Sequence, residues 1–169
     1  MRKTYNAPWS TMLKVVSLFF ALVLVGIPTF RWLRPGNATT AELVTQSVIL
    51  GAILLISASF LVRGYSISDR HVTIHHLFFN RRLPLQKLTS VAIDPGAMAF
   101  SVRTFGIGGL GGYIGWFRNE RLGSYQAYVT DAANMVVLVF GKRAVVISPA
   151  RPADFVDDLV ARAPQLERE

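Results

Sequence analysis

Residues 103–123 read RTFGIGGLGGYIGWFRNERLG, and within them Gly106-x-Gly108-x-x-Gly111 has the spacing of a dinucleotide-binding turn. In such a turn the glycines let the backbone approach a pyrophosphate where a helix opens. That chemistry needs a strand before the glycines and a helix after them. Here the preceding PGAMAFSVRTF is weakly strand-like, and the following YIGWFRNERLG, with further glycines and three aromatics, makes a poor helix. Asp131 lies 20 residues past Gly111, where a ribose-binding acid would be sought. It falls, however, in a turn between two segments that read as antiparallel strands. No Lys-Ser/Thr pair completes a phosphate loop. The glycines therefore read as places where backbone bends or packs closely, and no cofactor is expected.

Other residues capable of chemistry are few. His71 and His75 fall on one face of a strand-like segment, but a metal needs further ligands, and the H-E-x-x-H helix pattern is absent. No metal site is expected. The chain has no cysteine, which excludes disulfides and thiolate ligands. It also lacks G-x-S-x-G and any carboxylate pair isolated among apolar residues. Asp154, Asp157 and Asp158 suit the opening turns of a helix, where the dipole favours negative charge. The reading is a protein that binds and does not catalyse. Tyr113, Trp116, Phe117, Arg118 and Arg121 are its candidate contact residues, aromatics for a bilayer interface and arginines for lipid phosphate or a partner.

The formal net charge is +8, with 6 basic and 1 acidic residues in 1–63 and 12 and 9 in the remainder. Much of the excess thus flanks the apolar segments described next. Arg81, Arg82, Lys87, Arg103, Lys142 and Arg143 could add a basic patch, for which anionic lipid is the natural partner. No nucleic-acid motif is present, and no nucleic-acid partner is expected.

These residues must be positioned by two kinds of element. Residues 12–30 carry one charge, Lys14, and residues 43–62 none; each is close to the roughly 20 residues that cross a bilayer as a helix. Joined by the polar RWLRPGNATTAE, they read as a transmembrane hairpin occupying residues 1–63. A cleaved signal peptide fits less well, since no A-x-A-like site follows and a second apolar segment comes soon after. Arg2, Lys3 and Lys14 on one side and Arg63 and Arg70 on the other favour cytoplasmic termini, against Arg31 and Arg34 in the linker. The sequon Asn37-Ala38-Thr39 would matter only to a eukaryotic glycosylation machinery.

From residue 64 the pattern shortens. YSIS and HVTIHHLFF alternate about an Asp69-Arg70 turn, and RRLPLQKLTSVAID adds a strand that Pro84 confines to an edge. SYQAYVT, NMVVLVF and RAVVIS follow, the last two joined at Gly141-Lys142. A helix spans about 152–163, with Pro152 in its first turn and Phe155, Val156, Leu159, Val160 and Ala163 on one face.

This order resembles a bacterial pleckstrin-homology-like (PH-like) domain over roughly residues 64–163. Its most specific pieces are G-Y-x-G-x-F-R-N at 112–119, the Y-x-T strand, and I-S-P-x-x-P-x-x-F at 147–155. The resemblance implies an α+β membrane protein: a transmembrane hairpin, then a small antiparallel β-barrel over 64–169 capped by the C-terminal helix. It also implies a bacterial inner-membrane location. The partner it suggests is another membrane protein or a second copy of the chain; the alternative is an anionic lipid headgroup.

Overall fold

The structure, a computed structural model, describes residues 2–34, 36, 38–108, 111–163 and 167–168. Asn37 of the sequon therefore lies outside the described residues.

Helices α1 (Thr11–Leu33) and α2 (Thr40–Ser59) are long and apolar enough to cross a membrane. At 1.5 Å per residue they extend about 34 and 30 Å, against a hydrocarbon core of about 30 Å. Their ends are set locally. The Ser10 hydroxyl accepts the Leu13 N–H at the start of α1 (3.2 Å). At the start of α2, Thr39 and Glu42 form a reciprocal capping box. The Trp32 indole donates to Ser47 Oγ (3.1 Å), tying the helices together near their linker. Helix α2 ends three residues short of the expected apolar span. Phe60 caps it, and Val62 begins a strand, because Val62, Tyr65 and Ile67 bury their side chains in the adjoining core.

Eleven strands form two sheets among the described residues. The first has order β1-β2-β3-β4, from β1 (Lys3–Asn6), β2 (Val62–Ile67), β3 (His71–His76) and β4 (Asn80–Pro84), all antiparallel. Pro84 ends the edge strand, as its missing N–H requires. The second contains β5 (Ser90–Ile93), β6 (Val102–Gly108), β7 (Tyr113–Asn119), β8 (Gly123–Val129), β9 (Val136–Phe140), β10 (Arg143–Ile147) and β11 (Glu167–Arg168). Its order is β11-β5-β9-β10-β8-β7-β6. Helix α3 (Pro152–Arg162) follows β10.

Three expectations need correction. The strands are not all antiparallel: β10 runs parallel to β8, and β11 parallel to β5. The segments on either side of Asp131 are not neighbours, because β10 folds back at Gly141-Lys142 and lies between β8 and β9. Asp131 caps the intervening turn by accepting from the Ala133 N–H (3.1 Å) and the Asn134 amide (2.9 Å). The barrel expectation also meets a different arrangement, since no ladder joins the two sheets among the described residues.

The large sheet buries both faces. One packs Ile114, Tyr128, Leu138 and Ile147 against Tyr65, Ile67 and Ile74 of the small sheet and Phe155 and Leu159 of α3. The other packs Phe117, Tyr125, Val129, Val137 and Val146 beneath Ala97. At the heart of the first core, the Tyr65 hydroxyl donates to the Tyr128 carbonyl (2.7 Å) and accepts the Ser148 N–H (3.2 Å). Burial pushes its pKa up to about 12, so it is a neutral structural link.

Strand β1 precedes the first long helix, yet it pairs with β2, which follows the second. The start of α1 and the finish of α2 therefore lie at the same end of the sheets. Tyr5 seals this arrangement by packing edge-on against Phe155 (5.1 Å between ring centroids). Its hydroxyl donates to the Asp158 carboxylate, which Lys3 Nζ also meets at 2.6 Å. The hydrogen bond from Lys3, then that from Tyr5, holds the Asp158 carboxyl below its usual range.

Candidate binding face

The glycine-rich stretch folds as the β6–β7 hairpin, a topology unsuited to a dinucleotide turn. Gly106 and Gly115 face each other across the ladder, with φ of 121° and 134°. A Cβ at Gly106 would run into the Ile114 carbonyl oxygen, and one at Gly115 into that of Phe105. Only glycine permits both the backbone angle and the approach. At the tip, the Gly111 N–H donates to Ser17 Oγ of α1 (3.0 Å), and a Cβ at Gly111 would run into the Leu61 side chain. Six residues separate Ser17 from the first residue of α1, so the tip reaches about 9 Å along that helix. A second brace runs from the Ser10 N–H to the Thr130 carbonyl (3.2 Å). The domain is held firmly against the base of the two helices.

Side-chain alternation along β7 divides the five candidate contact residues. Tyr113 is partly exposed near the braced tip. Phe117 is 4% exposed and stacks on Tyr125 (6.1 Å), which makes it a core residue in this fold. Trp116 points to the other face and is 38% exposed. Arg118 is exposed at the end of β7 remote from the helices, five residues and so about 17 Å from Tyr113. Arg121 lies in the next turn, paired with Asp94. The five do not converge on one surface.

Trp116 instead stands where two adjoining grooves meet, between edge strand β4 and the large sheet. The first, about 440 Å³, is mainly apolar; Ile56 and Phe60 from the end of α2, Phe79 and Phe105 line it. Phe60 and Phe79 meet edge-to-face at 5.7 Å. The second, about 520 Å³, is lined by Arg81, Arg82, Lys87, Lys142 and Arg143, with no carboxylate in its wall. None of these five cations is ion-paired among the described residues. Arg81, Trp116 and Gln126 belong to both grooves. The Arg81 guanidinium is fixed at the junction, donating to Gln126 Oε1 (2.7 Å) and lying over the Tyr128 ring (5.7 Å).

The sequence places Arg81, Arg82, Lys87, Lys142 and Arg143 in one broad basic patch, and no local pattern in it singles out Phe60, Phe79 and Phe105.

The histidines do not converge on a metal. His75 Nδ1 donates to Asn80 Oδ1 (2.7 Å), leaving Nε2 to accept from Arg2 (2.7 Å). His76 turns inward, donates from Nδ1 to the Phe60 carbonyl (2.9 Å) and stacks on Phe79 (4.3 Å). Burial lowers its pKa, and its Nε2 has no hydrogen-bond partner among the described residues.

A sequence model of the bacterial PH domain family matches residues 63–163, more than half the chain. Neither a curated protein nor a solved structure matches it.

Proposed function

The chain belongs to the bacterial PH domain family, and on that premise we propose that it is a non-enzymatic binding module anchored in the bacterial inner membrane. In this reading α1 and α2 cross the bilayer as a hairpin. The cations at the domain end, Arg2, Lys3, Lys14, Arg63 and Arg70, keep that end in the cytoplasm. The pairing of β1 with β2 supports a single side for the N-terminus and the domain. The module would hold a ligand or assembly partner, such as another membrane protein or a second copy, beside the membrane.

The observation that carries this reading is the double groove, open beside the end of α2 and lined by cations that have no ion-pair partner among the described residues. Concave surfaces of several hundred Å³ with few convergent polar groups are common binding sites. A photo-crosslinking phenylalanine analogue in place of Trp116, in the full chain in native membranes, tests it. Adducts at that position should exceed those from the same analogue at exposed Glu120, beyond the remote end of β7. Equal, background-level labelling at both positions would refute a binding role for this face.

A further inference from the structure

The two grooves form one path whose polarity changes in the same order as a bilayer leaflet. The apolar part includes Ile56 and Phe60, in and just after the last turn of α2, and the cationic part lies beyond Trp116 and Arg81. We propose that this path holds one anionic phospholipid from the adjacent leaflet. An acyl chain lies against Phe60, Phe79 and Phe105, and the phosphate lies among Arg82, Lys142 and Arg143. The inference rests on the membrane-anchored reading above and names the ligand class of the same face.

Three observations select this occupant. Phe105 is 77% exposed and Phe79 42%, so both keep apolar surface in water that a bound chain would cover. Among the described residues the cationic wall contains no carboxylate, so it complements a phosphate without competition from an internal partner. Arg81 is already hydrogen-bonded and stacked at the junction, which orders the boundary between the two halves before a ligand arrives. A free anion would account for the basic half and leave the aromatic half unused. A neutral lipid would do the reverse.

The test uses the purified, delipidated full chain in mild detergent, with native mass spectrometry as the readout. Phosphatidylglycerol, phosphatidylcholine and inorganic phosphate are added in separate arms. Phosphatidylglycerol should be retained in preference to phosphatidylcholine, and phosphate alone should not be retained. The double variant K142E/R143E, at the exposed β9–β10 turn and first residue of β10, should lower phosphatidylglycerol retention roughly 25-fold, at about fivefold per cation. F105D should lower retention of both lipids while preserving the preference. Equal retention of the two lipids, an unchanged preference in K142E/R143E, or phosphate binding as strong as phosphatidylglycerol would each overturn the inference. Continued crosslinking at position 116 to a protein, with no lipid preference, would defeat the lipid assignment and leave the binding-module reading standing. Loss of both signals would defeat both.

Discussion

Replacing Gly106 by alanine should destabilise the domain heavily, whereas the same change at Gly108, two residues away in the same motif, should cost little. At Gly106, φ of 121° lies where an L side chain is strained, at about 1–3 kcal/mol. The new Cβ would also collide with the Ile114 carbonyl and the Gly115 backbone, neither of which is a flexible chain end. Relieving such overpacking costs about 1–3 kcal/mol more, for a total of about 2–6 kcal/mol. That is a large share of the roughly 5–15 kcal/mol that holds a domain folded. At Gly108 the Cβ would meet only the tip of Arg103, a side chain free to swing aside. Thermal unfolding of the full chain in detergent should show a Tm drop of at least about 8 °C for Gly106→Ala, at about 4–8 °C per kcal/mol. Gly108→Ala should stay within about 3 °C of the parent. A nucleotide loop would make no such distinction between the two glycines. Equal drops, or a parental Tm for Gly106→Ala, would refute the backbone-approach account.

The remaining expectations concern the cores and the residues beside the end of α2. Tyr65→Phe should cost about 2–4 kcal/mol, because the Tyr128 carbonyl and Ser148 N–H both lose a buried partner; denaturant titration measures this. Phe117→Ala should cost about 3–5 kcal/mol and Arg118→Ala less than about 0.5 kcal/mol, since adjacent residues of β7 face core and solvent. Equal costs in the same titration would contradict the strand register. His76 has a pKa lowered by burial, so below its unfolded value of about 6.5 the unfolded chain takes up a proton that the fold resists. Stability should therefore fall as pH drops below about 6.5, then level off below the folded pKa. Unfolding midpoints from pH 5 to 8 should show a weaker dependence in His76→Phe; an identical profile would contradict the neutral, buried imidazole.

Much of the fold is legible in order along the chain because it depends on local pattern. Apolar length marks both long helices, alternation marks β2 and β3, short apolar runs mark β9 and β10, Gly141-Lys142 marks the hairpin between those two, and Pro152 with the following apolar face marks α3. The β6–β7 hairpin is harder to read. Its glycines weaken the strand signal, although their mutual approach is what the ladder there requires. β1 is obscured for another reason: four residues ahead of an apolar helix carry little pattern, and their pairing with β2 depends on the chain returning through α2.

The double groove is the least legible feature. It joins Ile56, Phe79, Arg81, Phe105, Trp116 and Lys142, which are far apart in sequence and meet only because β4 ends one sheet beside the other. The sequence by itself determined the two apolar helices, the short strands, the terminal helix and the family, through hydropathy, period and motif. Tertiary structure alone decided that β10 separates β8 from β9, that Phe117 turns inward while Trp116 turns outward, and that the cations align with the aromatics. Local periodicity specifies what each segment is, but only long-range pairing specifies which segments become neighbours.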